Sequence, residues 1–106
     1  MPLTPVITVG VNFNTSGNQP IVAAVAASML ELRGVVLVIN GATTITFNSQ
    51  IGTFGPFVLP SAGTITLDDL WDSAMSPYAE FAAGTGIVIN SSAAVQVSGF
   101  LRYSLG

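Results

Sequence analysis

Residues 35 to 47 read VVLVINGATTITF, and this stretch constrains the fold more than any other. Asn40-Gly41 is a strong local signal for a two-residue β-hairpin turn, since both central positions of that turn need φ > 0. The arm after it alternates, with Ile45 and Phe47 apolar and Thr44 and Thr46 polar. The arm before it does not: Val35, Val36, Leu37, Val38 and Ile39 form an unbroken apolar run. A sheet with one wet face alternates on both arms, so something must cover the second face of the first arm.

The rest of the chain is also β-patterned. In PVITVGVNF, Ile7, Val9, Val11 and Phe13 fall on one face, as in a half-buried strand. TSGNQP, residues 15 to 20, reads as a loop. Residues 20 to 33 have two readings. Pro20, the alanines and Gly34 suit a helix. The alternative is a strand IVAAV, a turn near Ala27-Ser28, and a second strand MLELR leading into the apolar run. The β-rich context favours the strands. PFVLP, TITLD, YAEFA, GIVIN and AAVQVSGFLRY follow as short strands between Gly and Pro punctuation. DDLWDSAM, residues 68 to 75, fits one or two helical turns with Asp68 or Asp69 as N-cap.

Short strands at close spacing predict an all-β fold, a compact antiparallel β-sandwich or jelly-roll-like barrel with a short helical turn near residues 68–76. The 106 residues suit a single domain over 1–106, with residues 1–5 as a candidate extended arm. A chain of this length buries about 65% of its unfolded surface, so one core needs no staples. No Cys is present, so there is no disulfide.

Charge is scarce. Two basic and five acidic residues make 7% of the chain, against roughly 25% in an ordinary soluble domain. Polarity comes instead from 29 Ser, Thr, Asn and Gln residues. A net charge of −3 with only Arg33 and Arg102 argues against nucleic acid, which is bound by clustered cations. The longest strongly apolar run, residues 21 to 30, is about half of a membrane span. The start MPLTPVITVG has no signal-peptide pattern. The chain is therefore expected to be soluble, yet with few charges to keep its copies apart, which suits a subunit of an assembly.

Catalytic chemistry finds little to work with. Without His, Cys or Lys, no serine has a conventional base, and zinc has no customary ligand. AAGTGIV lacks the Lys and the helix of a phosphate loop. Asp68, Asp69 and Asp72 could offer oxygen to Ca²⁺, but their spacing fits a capped helix start and no known calcium loop is present. We therefore expect no enzyme activity, no cofactor and no metal. Trp71, Tyr78 and Asp72 are candidate ligand-binding residues, able to stack on and hydrogen-bond to a sugar, although such aromatics more often close the end of a core. Asn14-Thr15-Ser16 and Asn90-Ser91-Ser92 match the glycosylation pattern, which carries no weight without a secretory signal.

TGIVINSSAAVQVSGFLRY, with the upstream ATTITFNS and GPFVLPSAG, resembles small structural proteins of tailed bacteriophages. These carry a C-terminal segment of the kind G-x-x-L-x-L-N-x-S-A-A-V-x-V-S-G-x-L-x-Y, an earlier T-V-T-F strand and a G-P-x-x-L segment. The resemblance covers roughly residues 35 to 106, and DDLWDSAMSPYAEF departs from the pattern by being longer and more acidic. It implies a virion component with a β-sandwich repeated in many copies. The expected role is a capsid decoration or cement protein on the capsid exterior. Its expected partners are its own copies, with a trimer as the expected state, and the major capsid protein or another virion protein. A head-spike, tail or fibre component is the nearest alternative, and a carbohydrate-binding module is an alternative of another class.

A two-residue hairpin at Asn40-Gly41 sets Val36 opposite Ile45 and Val38 opposite Thr43. Residues 36, 38, 43, 45 and 47 then face the core. Val35, Leu37, Ile39, Thr44 and Thr46 share the other face and become the candidate interface, unless another segment of the chain covers it.

Overall fold

The computed structural model describes residues 5–48, 50–51, 54–68 and 76–106. The elements of this region are β1 (Ile7–Phe13), β2 (Gly17–Val22), β3 (Leu30–Ile39), β4 (Thr43–Asn48), β5 (Gln50–Ile51), β6 (Phe57–Leu59), β7 (Gly63–Leu67), β8 (Ala79–Phe81), β9 (Ile87–Ser91) and β10 (Val97–Leu105). They form two antiparallel sheets. One runs β1-β10-β3-β8-β5, with β7 also paired to β3, and the other runs β2-β9-β4-β6. The fold is an all-β sandwich. The expected helical turn near residues 68–76 and most of the expected N-terminal arm lie outside the described residues.

Residues 20 to 33 are strand, turn and strand. The alanines do not build a helix, because Val22 and Leu30 are both drawn into one core by sheet pairing. A turn at 25–28 closes with Ser28 N donating to Val25 O (3.3 Å). The segment read as a loop is strand from Gly17 onward, where β2 begins. Pro20 hid this. A proline is tolerated in a strand at a sheet edge, where no ladder donor is needed, and β2 is such an edge.

The decisive difference from the sequence reading lies at Asn40-Gly41. No hairpin forms there. β3 belongs to the six-stranded sheet and β4 to the four-stranded one, so residues 40 to 42 arch across the sandwich. Neither Asn40 nor Gly41 takes the positive φ that the two-residue turn demands. Asn40 N donates instead to Gln96 O (3.0 Å), and Gly41 lies under Val95.

The arch inverts the face assignment. Val35, Leu37 and Ile39 are core residues, at 0%, 0% and 1% exposure, so they are not an interface. Across the sandwich the four-stranded sheet contributes Ile45, Phe47 and Ile89, also buried. Burial explains the choice. A hairpin would put Val35, Leu37 and Ile39 outside and only Val36 and Val38 inside. The arch puts the larger trio inside, and each fully buried aliphatic side chain contributes about 1.5–3 kcal/mol. That outweighs a local turn preference.

Leu30 and Leu32 also face the core, although they are even-numbered and the other three are odd. The phase changes at one bulge. Arg102 pairs with Gly34 and Tyr103 with Leu32, which leaves Arg33 as an extra residue of β3.

This geometry reverses the expected behaviour of neighbouring residues. Leu37→Lys puts an unpaired ammonium in the core, at a cost of several kcal/mol out of a total of roughly 5–15, and should abolish cooperative unfolding at ambient temperature. Val38→Lys points outward and should leave the midpoint within a few degrees of the parent. Thermal melts followed by circular dichroism compare the two.

Candidate interaction surface

Two sheet faces look outward. On the six-stranded sheet the rows across the strands are Gly10–Phe100–Val36–Thr66 and Asn12–Ser98–Val38–Thr64. Val38 is 52% exposed, while Val36 and Phe100 are half-buried. Arg102 lies over the Phe100 ring, 4.8 Å from its centroid, and pairs with Asp68. The trio Val35, Leu37 and Ile39 is thus covered by the chain's own second sheet. Val36 and Val38 are the members of the run that look outward.

On the four-stranded sheet, Thr44 and Thr46, the two other candidate interface residues, are half-buried on the outer face. Thr46 lies level with Asn90 and Asn18. Asn18 Oδ1 accepts from both Asn48 Nδ2 (2.7 Å) and Asn90 Nδ2 (2.8 Å), which ties three strands together on the surface. Val58, on the edge strand β6, is 70% exposed. No strand of this sheet contains a charged residue.

A hydroxyl network supports this face from beneath, and it explains the NSSAAV segment. Ser91 and Thr43 are buried with their hydroxyls 2.7 Å apart. Ser91 Oγ donates to Ala93 O (2.8 Å) and Ala93 N donates to Thr43 Oγ1 (3.2 Å). A hydroxyl has one proton, so Thr43 must donate to Ser91. Ser92 exchanges bonds with the main chain of Thr44, accepting at Oγ from its N–H (2.9 Å) and donating its own N–H to its carbonyl (3.1 Å). These contacts hold the start of β4 to the end of β9 as the chain leaves for the other sheet.

Of the candidate ligand site, Tyr78 alone lies among the described residues. Trp71 and Asp72 lie outside the described residues, as does Asp69. Tyr78 is half-buried against the core, and its N–H donates to Leu32 O (2.9 Å). Asp68 is engaged by Arg102, a partnership across 34 residues that local reading had no means to find. Three more aromatics, Phe47, Phe54 and Phe57, are stacked edge-on at 5.3–6.3 Å between centroids around one end of the core. Among the described residues there is no concave pocket and no group of three acidic side chains placed to share an ion. No helix there is long and apolar enough to cross a membrane.

No protein-family model, no curated protein and no solved structure matches this chain.

The hydroxyl network yields a test of its own. Ser91→Ala leaves the Ala93 carbonyl without its hydroxyl donor and the Thr43 proton with only the longer contact to Ser92 Oγ (3.3 Å), a loss of about 1–3 kcal/mol. Thr43→Val together with Ser91→Ala should cost less than the two single changes added. Urea denaturation of the four proteins of this cycle measures the coupling.

Proposed function

We propose that this chain is a non-enzymatic structural protein of a bacteriophage particle, a decoration or cement protein that self-associates and adheres to the outside of the capsid. The observation that carries this reading is the scarcity of unpaired charge among the described residues. Of the five charged residues in the described region, Arg33 is buried and Asp68 is paired with Arg102. Glu31 is bonded to Arg33, which leaves Glu80 as the remaining member. The outer faces are built mainly from Asn, Thr, Ser and Val, with Phe100 and the Arg102–Asp68 pair among them. Neutral amides and hydroxyls lose less on desolvation than ions do, so such faces can be covered by a partner at modest electrostatic cost.

The action is mechanical. A stiff sandwich bridges neighbouring capsid subunits through hydrogen-bonding and apolar surface. Individually weak contacts sum over a repeating lattice, because each further contact forms at high effective concentration. A head-spike, tail or fibre component would use the same surfaces and differs only in its place on the particle. A sugar-binding role lacks support in the described surface, where Tyr78 packs inward.

Phage particles lacking this protein provide the test. Purified chain should co-sediment with them to a saturating, fixed ratio, and Val38→Asp should weaken that binding at least about tenfold, roughly 1.4 kcal/mol, with melting unchanged. Failure to bind such particles at micromolar concentration would overturn the decoration reading.

A further inference from the structure

Both sheets have open edges, and they are not alike. β6 spans Phe57–Leu59 between Pro56 and Pro60, β2 contains Pro20, β5 is only Gln50–Ile51, and β7 runs directly into Asp68. Proline, charge and short length are the usual means of blunting an edge against pairing with another chain. β1 has none of them. Its seven residues, ITVGVNF, include no proline and no charge. It pairs with β10 from Ile7 to Phe13 without a register shift. Successive residues alternate the direction of their main-chain groups, so about half of those in β1 point away from β10. Among the described residues no other strand pairs with them.

Gly10, at the centre of this strand, has no steric reason for being glycine among the described residues. A Cβ built there meets nothing within 4 Å, and its φ is ordinary. Gly99 and Gly86 differ, since a Cβ would lie 1.9 Å from Val36 O in the first and 2.2 Å from Val22 O in the second. A glycine inside a strand weakens it and commonly marks the close approach of another backbone.

We propose that β1 is a homotypic docking edge. Two copies of the chain pair their β1 strands antiparallel about a two-fold axis at Gly10, joining two six-stranded sheets into one. The partner is a second copy because the strand is complementary to itself. With Gly10 opposite Gly10, Val9 meets Val11, Ile7 meets Phe13 and Thr8 meets Asn12. Apolar groups then meet on the core face and polar groups on the outer face. This register uses all seven residues, and Ile7, 40% exposed in the single chain, gains an aromatic neighbour. Such an isologous contact closes at two copies, so it makes a dimer rather than the trimer expected from the phage resemblance. The inference rests on the self-association part of the proposed function and names its surface.

Solution mass of the intact chain, by sedimentation equilibrium and native mass spectrometry, tests the contact. The parent should be dimeric at micromolar concentration. Gly10→Lys puts two ammonium groups opposite each other across the axis and should weaken the dimer at least about tenfold. Its melting should stay near that of the parent monomer, because a Cβ at this exposed position meets nothing within 4 Å among the described residues. Gly10→Cys supplies the chain's only thiol, with Cβ atoms about 4.5–5.5 Å apart across the axis. It should form a covalent dimer on air oxidation, whereas Val58→Cys, also exposed but on another edge, should remain a free thiol. This second variant decides the matter even if Gly10→Lys fails to fold. A parent that stays monomeric, an oligomer unchanged by Gly10→Lys, or cross-linking no faster for Gly10→Cys than for Val58→Cys would each overturn the proposal. Particle binding is read separately: a monomeric parent that still decorates particles removes the edge contact alone, and a dimer that ignores particles removes the capsid role alone.

Discussion

The bulge at Arg33 is the constraint on which the sandwich depends. β3 pairs with β10 along one side and with β7 and β8 along the other, so its inner face organises the whole six-stranded sheet. A strictly alternating strand could present either Leu30 and Leu32 or Val35, Leu37 and Ile39 to the core. One extra residue lets it present all five. That residue is an arginine, 2% exposed, and a buried guanidinium is tolerable only with acceptors in place. Nε donates to Ser104 Oγ (3.0 Å) and a terminal nitrogen to Glu31 Oε1 (3.1 Å). Ser104 lies on β10, just past the site of the register shift, so the strand that accommodates the bulge also satisfies its side chain.

Strand positions were legible in the sequence wherever alternation was undisturbed, as in Ile7–Phe13, Thr43–Asn48 and Ile87–Ser91. Strand partners were not. Asn40-Gly41 states a turn preference over two residues, whereas membership of a sheet is settled by which five aliphatic groups can be buried together, and that sum involves Phe47, Ile89 and Leu101 from distant segments. An unbroken apolar run hides its own phase, because either face could be the inner one. The signal that could have set it was the pair Arg33-Gly34, a charge and a glycine between two apolar stretches. A pattern that shifts from even to odd across such a pair is what a bulge looks like in one dimension. The candidate interface was inverted for that reason, while Thr44 and Thr46 keep their outward positions because β4 alternates by itself.

The segment that carries the phage resemblance has reasons internal to the fold at many of its positions. Asn90 belongs to the asparagine bridge on the outer face, and Ser92 holds the main chain of Thr44. Val97 and Leu101 fill the core, and Gly99 sits where its φ of 144° and the nearby Val36 carbonyl admit no side chain. The likeness therefore speaks first of how this sandwich is built. What it implies about a particle rests on separate grounds, chiefly the surface.

That surface has a further consequence for how association would proceed. Charged patches steer partners together and speed encounter, and the described surface has little unpaired charge to steer with. Neutral faces in turn exact little desolvation cost and create little repulsion between copies. Binding of this kind starts slowly from dilute solution and is held by the number of contacts made at once. The hydrogen-bonding groups of an open strand edge suit it, since they need no ion and are directional enough to set a register. A described surface poor in unpaired charge, an unblunted seven-residue edge and asparagines bonded across three neighbouring strands are what such an association would draw on: a sandwich placed by geometry rather than drawn in by charge.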